Sequence, residues 1–215
     1  MAGSIAHEIN NPLMVITGSI NLLKKNKTLI EDDDLKCKFD KIKKASSRIA
    51  DIVRSMKMVA SKHDNVEMES VNLNQLIEQV LVLYEDKFKI EGVELRLHSM
   101  PHLNVKANPV QVSQILLNLI SNAFDEVIKV TPKIIEIEVL ENQYNVNILV
   151  KNTGNPIPES VQQKMFEPFY TTKPLNKGTG LGLSISRSLA KENNGFLEYS
   201  PIEDMICFRL NLNKA

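Results

Sequence analysis

The 215-residue sequence has no surplus of charge of either sign: 26 Lys and Arg stand against 26 Asp and Glu. That balance gives no support for a nucleic acid or a polybasic membrane partner. Cysteine is almost absent. Cys37 and Cys207 lie far apart and neither belongs to a CxxC pair, which argues against a disulfide framework or a zinc site and fits reduced thiols in a cytosolic protein. No stretch approaches the ~20 consecutive apolar residues of a membrane span, so no membrane contact is expected of this fragment. Repeats, low-complexity tracts and a signal peptide are also missing. Met1 leads almost directly into a patterned segment, which points to a missing upstream part, and a membrane-attached, full-length parent is compatible with that.

Apolar residues make up 43% of the chain, enough for a real core. In GSIAHEINNPLMVITGSINLL, Ile5, Ile9, Leu13, Ile16, Ile20 and Leu23 recur at spacings of three and four, the stripe of an amphipathic helix. Pro12 interrupts it. Either the helix starts there, where proline is tolerated, or the chain is kinked beside His7, because proline removes an N–H and clashes with the carbonyl of Glu8. A second stripe (Phe39, Ile42, Ile49, Ile52, Val53, Met56, Val59) predicts a helix from about Leu35 to Lys62. Two helices joined by a polar link read as an antiparallel hairpin. One hairpin has too little core, so pairing with a second copy into a four-helix bundle is expected.

The pattern changes near Asn65. VNLNQLIEQVLVLYEDKFKIEG predicts one helix with Asn72 and Gln75 as a capping pair, and VELRLHS a strand. Asn108 and Pro109 open another helix. KIIEIEVL and YNVNILV are strands around a polar turn, a helix follows GTGLGL, and GFLEYS with MICFRLNL closes the chain as a hairpin. Mixed helices and adjacent antiparallel strands predict an α+β layered sandwich. The domains are therefore expected at 1–65 and 66–215.

Four segments are candidates for chemistry. KGTGLGLSIS is a glycine-rich turn feeding a helix, a form that suits phosphate but also serves as a plain helix start. NLISN puts Asn118 and Asn122 on one helix face, where amides can serve hydrated magnesium and phosphate oxygens or simply meet solvent. VKNTGNPIP ends a strand in a turn, and FEPFYTTK follows with Phe166, Phe169 and Tyr170 as core or loop anchors.

Taken in order, HExxN–P, a helix hairpin, NxxxN, a glycine turn after a strand, FxPF and GTGLGL resemble the sensor histidine kinases of two-component signalling over nearly the whole chain. The resemblance implies a helical hairpin that dimerises and carries the phosphoacceptor. It also implies a Bergerat-type α/β sandwich, a mixed sheet of about five strands packed on helices, that binds ATP and Mg2+. By that resemblance His7 accepts phosphoryl, Glu8 is the general base and Asn11 orients water in dephosphorylation; Pro12 loosens the helix around His7. Asn122 is the magnesium ligand and Asn118 its companion. Asn152 and Gly154 recognise adenine. Phe166, Phe169 and Lys173 belong to a short ATP lid, and Gly178, Thr179, Gly180, Leu181 and Gly182 cradle phosphate. The implied partners are a second copy and a response regulator receiver domain; the implied location is the cytoplasm. Two positions depart from the family: Asn152 stands where aspartate is usual, and Pro156 replaces a glycine. His63, His98 and His102 match no motif and read as surface residues. The competing readings are an ATPase of the same superfamily, against which Asn118 stands where a water-activating glutamate is usual, and a degenerate kinase acting as a dimeric scaffold or phosphatase.

Overall fold

Alternation of apolar and polar residues over Ile134–Glu141, Asn145–Asn152 and Ile206–Asn213 builds the centre of a five-stranded sheet. The computed structural model describes residues 67–98, 100–174 and 178–215, together with 13–14, 16–21, 35, 38–39, 41–42, 46 and 49. The chain divides into two units, Met1–Asp64 with Lys173–Leu181 and Asn65–Thr172 with Gly182–Ala215.

In the first unit the described residues 13–14, 16–21, 35, 38–39, 41–42, 46 and 49 are helical. Leu13 and Ile20 are buried, as the first stripe requires, whereas Ile16, Ile42 and Ile49 of the two stripes stay 41%, 46% and 44% exposed. The remainder of both expected helices, with Pro12, lies outside the described residues.

In the second unit the strands are β1 (Glu69–Asn72), β2 (Glu94–His98), β3 (Asn104–Ala107), β4 (Ile134–Glu141), β5 (Asn145–Asn152), β6 (Phe196–Tyr199) and β7 (Ile206–Asn213). The helices are α1 (Leu73–Val82), α2 (Glu85–Glu91), α3 (Pro109–Val127), α4 (Glu159–Gln162) and α5 (Gly182–Glu192). The main sheet runs β2-β4-β5-β7-β6, with β2 parallel to β4 and the other pairs antiparallel; β1 and β3 form a separate antiparallel pair. Asn142 makes the β4–β5 turn tight: its Oδ1 accepts from the N–H of Tyr144 at 3.0 Å and of Asn145 at 2.7 Å, a side chain mimicking a backbone turn.

One face of the sheet is apolar. Ile135, Ile137, Val139, Val146, Ile148, Val150, Phe208, Leu210 and Leu212 are buried there beneath α3 and α5. The other face is polar, the usual economy of a largely antiparallel sheet. Lys151 meets Glu138 at 2.8 Å and Glu136 at 3.6 Å, and Arg209 pairs with Glu198. Burial would lower the Lys151 ammonium, but the two glutamates outweigh it and hold it above its ordinary value. Burial pushes the neighbouring Cys207 thiol up to about 11 against the pull of Lys151 and Arg209, so it stays protonated and inert at neutral pH.

The α+β sandwich and its five-stranded mixed sheet match the expectation. The helix expected over 71–92 does not. It is two helices, because Leu83 and Tyr84 bond three residues back, to Val80 and Leu81, and tighten the last turn. The break brings Tyr84 and Phe88 against Phe124, with centroids 5.7–6.3 Å apart. Asn72 does cap α1, accepting from the Gln75 N–H at 3.0 Å. Asn108 caps α3 likewise, with Pro109 in the first turn.

A buried asparagine joins α3 to α5. Asn193, fully buried, accepts from the Asn108 N–H at 2.7 Å and donates to Gln111 Oε1 at 2.7 Å and the Leu189 carbonyl at 2.8 Å. Two residues on, Gly195 passes so close to β7 that an added Cβ would lie 1.9 Å from the Asn211 carbonyl oxygen. That oxygen is backbone and cannot swing aside. Gly195→Ala is therefore expected to cost about 1–3 kcal/mol, as overpacking does. A urea titration checks it; an unchanged midpoint would contradict it.

Candidate functional site

The face of α3 that does not enter the core carries the site. Val112, Ile115, Leu116, Leu119, Ile120, Ala123 and Val127 are buried. Asn118, Asn122 and Glu126, at four-residue spacing, lie on a half-buried stripe beside them, as the helical repeat dictates. The eight steps from Asn118 to Glu126 span about 12 Å of helix axis.

At one end of the stripe Asn118 meets α5. Its Nδ2 donates to Ser186 Oγ at 2.8 Å, and Ser186 is 1% exposed. A Cβ on Gly182 would sit 2.4 Å from Asn118 Oδ1 and 2.8 Å from its Nδ2. Gly182 and Ser186 are one turn apart on α5, so the Asn118 carboxamide lies against both. Because Asn193 joins the end of α5 to the beginning of α3, the two helices run antiparallel, and the first turn of α5 arrives at Asn118. The free N–H groups of such a turn favour anions.

At the other end, β5 stops at Asn152. Thr153 closes the strand: its N–H donates to the Ile134 carbonyl at 3.1 Å and its Oγ1 accepts from the Ile134 N–H at 3.0 Å. Asn152 is 2% exposed and its Nδ2 has no hydrogen-bond partner. Gly154 packs between it and α3, since an added Cβ would stand 2.8 Å from Asn152 Nδ2, 3.0 Å from Glu126 Cβ and 3.0 Å from Ile206 Cδ1. One helix face thus joins a buried amide at one end to a helix N-terminus at the other, with Asn122 between them.

The aromatic residues separate. Phe166 is anchored edge-on to Phe208, with centroids 6.4 Å apart, and the Arg187 guanidinium lies 4.9 Å from its centroid. Phe169 is 55% exposed with φ +68°, a left-handed value that costs a non-glycine residue about 1–3 kcal/mol; at that exposure it is not the core residue the aromatic triplet was expected to supply.

Lys173, Gly178, Thr179, Gly180 and Leu181 fall in the unit with Met1–Asp64. There Gly180 has φ +67°, and the Leu181 N–H donates to Thr179 Oγ1 at 3.4 Å. His7, Glu8 and Asn11 lie outside the described residues. The sequence did not single out Ser186, Glu126 or Arg187. A signal for Ser186 existed: it sits four residues after Gly182, at the spacing that shares a helix face.

Two family models match. The histidine kinase-, DNA gyrase B- and HSP90-like ATPase model covers residues 107–214, and the His Kinase A (phospho-acceptor) domain model covers residues 1–65. The chain belongs to the sensor histidine kinases. This histidine kinase chain is 32% identical over 92% of its length to sporulation kinase A of Bacillus subtilis, covering 31% of that protein. It is 31% identical over 92% of its length to the C4-dicarboxylate transport sensor protein DctB of Pseudomonas aeruginosa, covering 32% of it. It therefore spans about a third of these curated relatives. Among solved structures, the catalytic domain of histidine kinase ThkA matches at 34% identity and TM-score 0.62, over 69% of this chain and 99% of that one. ThkA in complex with response regulator protein TrrA matches at 32% identity and TM-score 0.68, over 100% of this chain and 61% of that one. Among the described residues no helix is long and apolar enough to cross a membrane.

The histidine kinase site makes a sharp prediction at Gly182. Replacing a helical glycine by alanine ordinarily stabilises by up to about 1 kcal/mol. Here the new methyl displaces the Asn118 carboxamide and breaks its bond to buried Ser186, an expected net loss of about 1–2 kcal/mol. Chemical unfolding of Gly182→Ala decides by the sign of the change: stabilisation contradicts the close approach of α5 to Asn118.

Proposed function

We propose that this chain is the kinase core of a two-component sensor, moving the terminal phosphoryl of ATP to His7 and from there to an aspartate of a response regulator. The observation that carries the reading is the α3 stripe, a run of about 12 Å between a buried amide and a helix N-terminus. It suits a ligand with a heterocycle at one end and phosphates at the other. Residues 66–215 are the catalytic, ATP-binding domain; residues 1–65 are the dimerisation and histidine-phosphotransfer domain. Ile16, Ile42 and Ile49, each more than two-fifths exposed, supply apolar surface for the second copy to cover. The location assigned is cytoplasmic.

The residues fit the nucleotide and its metal. The unpartnered amide of Asn152 and the space left by Gly154 receive the base. The first turn of α5, kept beside α3 by Gly182 and Ser186, faces the phosphates, with Gly178, Thr179, Gly180 and Leu181 leading into it. The resemblance assigns Phe166, Phe169 and Lys173 to the ATP lid. Asn122, whose amide oxygen is a hard ligand suited to Mg2+, would hold that ion. When bound, Mg2+ would offset negative charge on the phosphates. Asn118, with its Nδ2 given to Ser186, keeps its oxygen turned from that bond.

A neutral imidazole nitrogen of His7 attacks the γ-phosphorus; the new N–P bond forms as the bond to the ADP oxygen breaks. Glu8 takes the proton from the other ring nitrogen. On the phosphorylated response regulator, Asn11 orients the water that removes the phosphoryl. Hydrolysis of ATP as the main reaction is disfavoured, because Asn118 is an amide that cannot take a proton from water and its nitrogen is engaged by Ser186.

Incubation with γ-labelled ATP tests this. Acid-labile label on the protein is expected; His7→Gln abolishes it and leaves nucleotide binding intact. Asn122→Asp lowers the labelling rate by roughly tenfold or more, a loss of the size seen when metal-ligand partners are altered. Label that survives in His7→Gln places the acceptor elsewhere, and free phosphate without labelled protein makes the chain an ATPase.

A further inference from the structure

We propose that Asn152 opens the base end of the site to 6-oxopurines, so that GTP binds alongside ATP; this rests on the nucleotide site proposed above. Asn152 is 2% exposed, and its Nδ2 is buried without an acceptor. That nitrogen is pressed against Gly154, where an added Cβ would lie 2.8 Å away. Thr153 bonds Ile134 through both its N–H and its hydroxyl oxygen, and Glu126 Oε1 accepts from Lys129 Nζ at 2.7 Å.

A buried N–H without a partner is the rarer and costlier kind of orphan; an under-satisfied carbonyl oxygen is better tolerated. The two ends of a carboxamide are nearly the same in shape, so half a turn exchanges them within the same space. After that turn the oxygen lies against the Gly154 Cα–H, a weak but favourable contact, and the NH2 group is turned away from Gly154. In that orientation Asn152 offers a donor, the complement of a 6-oxo group. In the other it offers an acceptor, the complement of the 6-amino group of adenine. A carboxylate offers acceptors only and repels a 6-oxo oxygen. Specificity is a difference between two affinities, and the amide removes the term that a carboxylate sets against guanine.

Competition of Mg-ATP and Mg-GTP against a fluorescent nucleotide analogue on the full chain tests the proposal. The expected wild-type dissociation constants lie within about tenfold of each other. Asn152→Asp is expected to tighten ATP by about five- to tenfold through a charge-assisted bond and to weaken GTP by about tenfold or more, as a site matched to one polar pattern rejects its inverse. A wild-type preference for ATP above about a hundredfold, or a parallel shift of both nucleotides in the variant, overturns the inference while leaving the ATP site standing. Displacement of the analogue by neither nucleotide overturns both. Should the variant fail to fold, the wild-type ratio decides alone.

Discussion

The close approach of α5 to α3 is the constraint on which the rest depends. It exists because Gly182 has no side chain at the point where the Asn118 carboxamide lies, and because Ser186, one turn later, accepts from that carboxamide at 2.8 Å. Asn193 fixes the far end of the pair through the Asn108 N–H and Gln111. With both ends held, the first turn of α5 has one place to go. An anion site made of backbone N–H groups is only as well defined as the helix that carries it.

The sheet contributes the other end. β5 is central, between β4 and β7, and Asn152 pairs in register with Ile135 and Ile206. A residue so placed cannot drift. Gly154 then lets the departing chain fold back against Asn152 and Glu126 instead of standing off from them. The distance between the two ends is set by α3 itself, a rigid element with a buried apolar side. The polar, ion-paired outer face of the sheet takes no part in this and keeps that surface solvated.

Legibility in the sequence followed the range of the interactions. Local signals held: Asn72 and Asn108 cap their helices, Pro109 sits in a first turn, and β4, β5 and β7 are strands as read. Strands β1 and β3, of four residues each, have no periodicity long enough to register, and their pairing joins residues 32 to 38 positions apart in sequence. The break at Leu83–Tyr84 was hidden because both halves share one apolar pattern; an aromatic cluster with Phe124 chose otherwise. In the site, motifs identified Asn118, Asn122, Asn152, Gly154 and Gly182 as residues of interest. What they touch was not legible: that Gly182 makes room for Asn118, that Ser186 holds it, and that Asn152 buries an unpartnered nitrogen are all tertiary facts. Phe166 and Phe169, alike in the motif, part company because only Phe166 reaches Phe208 and Arg187.

The central claim is that one face of α3 spans the nucleotide, from the end of β5 to the first turn of α5. Amide hydrogen exchange of the full chain, with and without a non-hydrolysable Mg-ATP analogue, tests it most directly. The account predicts slowed exchange at residues 152–154 and at 182–186 together, at analogue concentrations that saturate binding. Slowed exchange at one end alone, or at neither while the analogue is bound, would contradict it.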